Sequence, residues 1–216
     1  FMQYFANHLK EKSKPFFTTF FSLSSHPPYV LPDDYKHKHE NIGIRETIKY
    51  TDYAMRHFFN SIKNEPWFSN TIFIITADHT SGVSYNDKYK NKLGRYAIPM
   101  IIFKGDSSIN GVSNNIVQQI DIMPTILNLI GYNKEYFAFG KSMFSKEEWA
   151  ISKLQDTYRF ITPNGIIHNS GEQYITYKDW GLSSEKENNF RELEKLKAIK
   201  QIYNNRMLNN KINNEN

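Results

Sequence analysis

Apolar positions along this chain switch period several times, and each switch marks an element. Between about Glu40 and Lys63, Ile44, Ile48, Met55, Phe58, Phe59 and Ile62 recur at a 3.6-residue period, which predicts a long helix with one buried face. Tyr4, Phe5, His8 and Leu9 are spaced for a shorter amphipathic helix, ended by Pro15. Phe16 to Leu23 is rich in Phe and Thr and reads as a strand that delivers Ser24, Ser25 and His26 to its carboxyl end. Pro27, Pro28 and Pro32 then impose an extended loop, followed by a polar stretch holding His37 and His39. Thr71–Thr76 and Ala97–Phe103 are apolar, β-branched runs of strand length. Helix, strand, loop and strand in this order predict an α/β fold with a mainly parallel sheet flanked by helices.

Further on, Asp121 is placed to N-cap a helix ending near Ile130, with Pro124 in its first turn and Gly131 as the residue beyond its end. The tail changes character. Tyr158–Thr162, Gly165–His168 and Tyr174–Tyr177 are short strands separated by Pro163-Asn164-Gly165 and Ser170-Gly171, so an antiparallel meander is expected. A charged helix from about Glu185 to Met207 closes the chain, with Phe190, Leu193, Leu196, Ile199, Ile202 and Tyr203 as its apolar face. The division this predicts is a main α/β domain over residues 1–150 and a small appendage, antiparallel sheet plus helix, over residues 151–216.

Composition narrows the function classes. No apolar run approaches the roughly 18 residues of a membrane span, and no secretory leader is visible at Phe1-Met2-Gln3-Tyr4. With 0 Cys there is no disulfide framework and no thiolate metal site. The net charge of +5 is carried by dispersed lysines rather than a basic helical stripe, so a solvated surface explains it better than a nucleic-acid face. The first residue is Phe rather than Met, which leads us to expect a piece of a longer protein.

The candidate chemistry sits at the end of the Thr71–Thr76 run, where the chain continues Ala77-Asp78-His79-Thr80. In open α/β sheets ligands collect at the carboxyl ends of strands. Asp offers hard oxygen and His nitrogen, so one divalent cation can take both. The competing assignment is an Asp that merely begins a turn. His8, His57 and His168 read as structural or surface residues, and His37 and His39 as solvated ones. Thr80 and Ser81 fit a supporting role rather than that of a nucleophile.

The order strand-Asp78-His79, polar loop, strand with Ile98-Pro99, then Asp121-Ile122-Met123-Pro124-Thr125-Ile126-Leu127 resembles the C-terminal half of the alkaline phosphatase/sulfatase superfamily. Leu23-Ser24-Ser25-His26 and Tyr50-Thr51-Asp52-Tyr53-Ala54 are similar to its lipoteichoic acid synthase branch. The resemblance implies an incomplete alkaline phosphatase-like fold. It implies that Asp78 and His79 are ligands of one catalytic divalent metal, Mn²⁺ foremost with Zn²⁺ or Mg²⁺ as alternatives. It implies that His26 is both catalytic and substrate-binding, contacting the phosphate or sulfate group of an anionic ester.

The reaction expected from this resemblance is displacement at a phosphodiester or sulfate ester, by a hydrolase or a phosphoglycerol/phosphoethanolamine-type transferase. The branch's nucleophilic Thr and a further carboxylate ligand precede the region that Phe1 matches. We therefore expect a C-terminal portion, inactive alone, of a parent anchored on the extracytoplasmic face of a bacterial membrane. The alternative is a non-catalytic relative, truncated or degenerate, serving as a binding or structural module. The coding sequence upstream of Phe1 separates the two.

Overall fold

The computed structural model describes residues 1–36, 43–83, 86–91, 93–177 and 190–211; the predicted polar stretch with His37 and His39 lies outside them. The chain divides into two compact units. The first comprises Phe1–Thr76 and Pro99–Gly111, the second Ala77–Ile98 and Val112–Asn216.

The first unit holds α1 (Met2–Lys10), α2 (Ile44–Ile62), β1 (Ile72–Thr76) and β2 (Met100–Lys104). A run of half-buried phenylalanine rings links its elements. Phe20 stacks on Phe5 at 5.1 Å between ring centres, and Phe5 stacks on Phe58 at 5.8 Å. Phe59 meets Phe73 and Phe103 at 5.4 and 5.5 Å, and those two stack on each other across β1 and β2 at 4.9 Å. Phe58, Phe59 and Ile62 lie on the face that the 3.6-residue period places on α2 and Ile62 is fully buried, but Ile48 of the same predicted stripe is exposed while Glu46 and Thr47 are buried. Offset and edge-on ring pairs of this kind contribute about 0.5–1.5 kcal/mol each beyond their buried area.

Two expectations are corrected here. β1 and β2 pair antiparallel, with Ile74 opposite Ile102, not parallel. A strand's hydrophobic pattern carries no direction, and a parallel neighbour requires a crossover, usually helical. Among the described residues, the connection from Ala77 to Pro99 contains only the 3₁₀ turns Asp87–Tyr89 and Gly94–Tyr96. The second correction concerns Phe16–Leu23, which is in no sheet. The run has a strand's composition and no ladder partner among the described residues. It is held instead by its rings, Phe16 edge-on against Trp67 at 5.3 Å and Phe20 against Phe5, while Phe17, Phe21 and Leu23 are exposed.

At the end of β2, Lys104 pairs with Asp106 at 2.8 Å. Hydrogen bonds from the Lys104 ammonium, then from the Ser108 hydroxyl and amide, hold the Asp106 carboxyl well below the usual carboxylate range. Because the folded state favours the ionised form, this contribution to stability is present above the ordinary carboxylate range near pH 4, roughly, and is lost as the pH falls through the depressed value. Asp106→Asn is therefore expected to flatten the acid side of the stability profile, read by urea denaturation between about pH 5 and pH 2. Equal acid slopes in the two proteins would refute it.

In the second unit, β3 (Ala150–Leu154), β4 (Thr157–Thr162), β5 (Gly165–Ser170) and β6 (Gln173–Tyr177) follow α3 (Ile122–Leu129) and form an antiparallel meander. The chain ends in α4 (Phe190–Leu208). One face of the sheet packs on α4 through Trp149, Phe160, Ile167, Leu193 and Leu196. The other buries Ile161 and Ile166 against Leu93 and Ile116. β3 is one strand more than the sequence reading supplies. Its hairpin to β4 turns on Gln155, whose φ of 51° is a conformation that usually signals glycine.

Gly131 ends α3 as expected, with φ 70°. The Tyr132 amide donates to Leu127 O at 2.9 Å and the Gly131 amide to Asn128 O at 3.1 Å, the paired closure of a Schellman motif.

Candidate metal centre

β1 runs out at Thr76 and the chain enters a bend, Ala77 to Gly82, with no ladder bonds. Three contacts shape the two predicted ligands within it. The His79 amide donates to Asp78 Oδ1 at 2.9 Å, folding the carboxylate back over its own peptide. Asp78 Oδ2 and His79 Nε2 face each other at 3.5 Å. His79 Nδ1 lies 2.8 Å from Thr80 O. A carbonyl only accepts, so Nδ1 carries a proton, and Nε2 is the nitrogen turned toward the Asp78 carboxylate.

That arrangement suits a shared cation. The carboxylate oxygen and the ring nitrogen are near enough for one ion to take both. A metal-binding imidazole ordinarily donates its other N–H to a carbonyl or carboxylate, as His79 does to Thr80. Both side chains are more than half exposed, 55% for Asp78 and 75% for His79, so an ion can reach them from solvent.

The bend is anchored at both ends. Gln119 Nε2 donates to Ala77 O and to Asp78 O, each at 2.9 Å. The Thr80 hydroxyl donates to Arg95 O in the Gly94–Tyr96 turn, so its proton is engaged structurally. That turn is itself fixed: Asn91 Oδ1 accepts from the Leu93 and Gly94 amides, and Leu93 enters the core beneath the sheet. Arg159 on β4 lies over the Tyr96 ring at 5.4 Å and reaches its hydroxyl at 3.4 Å.

His26 belongs to the first unit, Asp78 and His79 to the second. Its turn is closed by the His26 amide on Leu23 O and the Tyr29 amide on His26 O, both 3.0 Å. Ser25 Oγ meets Thr51 Oγ1 on α2 at 3.4 Å, and the Thr51 hydroxyl donates to Thr47 O, so the turn leans on the helix. His26 Nδ1 faces Pro27 O at 2.7 Å, which leaves Nε2 as the outward nitrogen. The ring is exposed.

Residues 1–132, more than half of the chain, match the sulfatase family model. The chain belongs to the sulfatase family. Lipoteichoic acid synthases of Staphylococcus aureus strains USA300 and NCTC 8325 are each 26% identical to it over 215 residues, covering 88% of this chain and 33% of theirs. The chain thus spans about a third of the length of these curated relatives. A crystal structure of an alkaline phosphatase superfamily protein from Vibrio parahaemolyticus superposes with a TM-score of 0.80 at 25% identity, over 99% of this chain and 54% of that one. The alkaline phosphatase-like fold expected from the motifs is therefore shown. Members of the sulfatase and alkaline phosphatase superfamily generally depend on divalent metals.

Within this sulfatase-family chain, no third His, Cys, Asp or Glu among the described residues joins Asp78 and His79 in a ligand cluster. No described helix is long and apolar enough to cross a membrane. The remaining described histidines have local contacts: His8 with Glu11 at 3.6 Å, His57 against Tyr53 at 4.3 Å and His168 against Tyr177 at 4.8 Å.

Asp121 stands at the N-cap position of α3, but its side chain caps nothing in that helix. It is fully buried. Oδ2 accepts the Gln118 amide at 3.1 Å and the Lys141 ammonium at 3.2 Å, and Oδ1 accepts the Lys141 amide at 2.9 Å. The carboxylate closes the capping box of the Gln119–Asp121 turn and ties it to Lys141, rather than capping α3. Gln119, two residues earlier, is the site residue that sequence reading missed. Its only signal was its place directly before the Asp121-Pro124-Thr125 pattern.

Proposed function

We propose that this chain is the metal-binding C-terminal part of a sulfatase-like hydrolase or phosphoglycerol/phosphoethanolamine-type transferase acting on phosphodiester or sulfate esters. The observation that carries the reading is the Asp78–His79 pair after β1, with the carboxylate and imidazole Nε2 3.5 Å apart and the other ring nitrogen on Thr80 O. Mixed oxygen and nitrogen donors suit Mn²⁺ or Zn²⁺, with Mg²⁺ as an alternative; of these we take Mn²⁺ first. When bound, the ion supplies positive charge to a substrate oxygen and to the charge that develops in displacement.

The chain's own side chains then divide the work. Asp78 and His79 hold the ion. Thr80 and Gln119 hold the bend that carries them. His26 is the substrate contact and acid: its Nδ1–H is engaged by Pro27 O, so donation from Nε2 to an anionic or leaving-group oxygen requires the doubly protonated ring. The nucleophile lies upstream, on a segment of the parent that these 216 residues do not include. Residues 1–150 contribute to the catalytic domain and 151–216 form its appendage. Likeness to lipoteichoic acid synthase supports a parent anchored at the extracytoplasmic face of a bacterial membrane and acting on an anionic ester.

The test compares the full-length parent with this chain alone, using bis(p-nitrophenyl) phosphate and p-nitrophenyl sulfate with added Mn²⁺. Metal-dependent turnover is expected in the parent and none in the isolated chain. Robust turnover by the chain alone would put the nucleophile within it. A parent without turnover, and without a strand-end Thr upstream, would favour the non-catalytic module.

A further inference from the structure

We propose that Gln119 is a positioning residue for the metal ligands, setting the backbone of Asp78 through a two-point grip on its flanking carbonyls. The proposal rests on the reading that Asp78 and His79 bind a divalent metal. Ala77 O belongs to the peptide plane before the Asp78 Cα, and Asp78 O to the plane after it. Each peptide is rigid, so the two planes on either side of a Cα define that residue's φ and ψ. One primary amide carries two N–H donors, and Gln119 Nε2 directs them to these two acceptors at 2.9 Å each. Both partners are carbonyls, which determines that the nitrogen, not the oxygen, of the amide faces the bend. The direction of the Asp78 Cβ follows from its φ and ψ, and that of the His79 Cα from the second plane.

A grip needs a fixed support, and Gln119 has one. It opens the Gln119–Asp121 turn, whose capping box is closed by the side chains of Gln118 and Asp121. Gln118 Oε1 also accepts the Ile151 amide of β3 at 2.9 Å. Asp121 is fully buried and locked to Lys141, whose ammonium also donates to Trp149 O at 3.0 Å. Thr125 donates to Asp121 O at 2.6 Å and fastens the turn to α3. The amide of Gln119 therefore projects from a rigid platform onto a bend that has no ladder bonds of its own. Without it, binding an ion would also have to order Asp78, and groups that orient metal ligands in this way typically account for about 10–100-fold in affinity.

The test measures Mn²⁺ affinity of the full-length parent by calorimetry, together with the melting temperature of the metal-free protein, for wild type, Gln119→Met, Gln119→Lys and Asp78→Ala. Met keeps the volume and removes both donors; Lys restores a donor nitrogen at similar reach. The expected result is Mn²⁺ binding weakened by roughly 10–100-fold in Gln119→Met, with an unchanged metal-free melting temperature and affinity partly recovered in Gln119→Lys. Wild-type affinity in Gln119→Met, with binding lost in Asp78→Ala, overturns the positioning role and leaves the metal reading standing. A metal-free melting temperature lowered equally in the Met and Lys variants, with no recovery of affinity, makes Gln119 structural and also overturns it. Undiminished Mn²⁺ binding by Asp78→Ala removes the metal reading, and this proposal with it.

Discussion

Asp78→Ala in the full-length parent is expected to abolish metal-dependent turnover, a loss of roughly 10⁴-fold or more, and His79→Ala is expected to do the same. On the proposed reading Asp78 and His79 each supply a donor to the ion, and no other described side chain stands by to replace either. On that reading, losing either would remove the charge that neutralises the reacting ester. His26→Ala should behave differently. It touches neither ligand's backbone supports, so Mn²⁺ binding should persist while the chemical step slows by roughly 10²–10⁴-fold, as for a general acid. Steady-state kinetics alongside Mn²⁺ titration separate the two outcomes. Wild-type turnover in Asp78→Ala would remove the centre on which the functional reading stands.

Asp121→Ala is expected to destabilise the protein by about 3–5 kcal/mol, the cost of breaking a buried ion pair by deleting one partner. Three donors lose their acceptor at once: the Gln118 amide, the Lys141 amide and the Lys141 ammonium. Lys141 is itself largely buried, 13% exposed, and would be left with Trp149 O and the face of the Trp149 ring at 4.8 Å. Replacing Lys141 as well, by Met, should recover part of the loss because the stranded charge disappears with it. Urea denaturation of the single and double variants measures this. A loss below about 1 kcal/mol in Asp121→Ala would mean that the pair contributes no more than a surface contact.

The elements legible from residues alone were those whose packing repeats a local period. The stripe on α2 from Met55 to Ile62, the apolar runs of β1 and β2 and the Gly131 terminus all declared themselves, because the helix face, the strand alternation and the left-handed cap are local properties. The place of Asp78 and His79 directly after β1 was legible because the apolar run of strand length ends just before them. What was hidden depended on distant partners. The direction of the β1–β2 pairing lies in the connection, not in either strand. Phe16–Leu23 carries a strand's composition, yet a strand exists only when its backbone groups find a ladder. β3 escaped because Gln155 stands where a turn glycine would have announced the hairpin. Asp121 looked like a cap because its partner at position 141 is twenty residues away. Gln119 acts across more than forty residues of sequence, and no local pattern marks such a reach.

The Asp121–Lys141 pair also ties off a loop. Everything from α3 to Lys141 is gathered at one buried neck, where a Cβ on Gly140 would come within 2.1 Å of Ile120 O. Beyond that neck, residues 131 to 136 are exposed. Added length there alters only the entropy of a loop whose ends are already joined, about 0.6 kcal/mol for each doubling. The stretch around Asn133 and Lys134 is accordingly the place where this unit can accept an inserted reporter peptide, while the neck itself admits not even a methyl group.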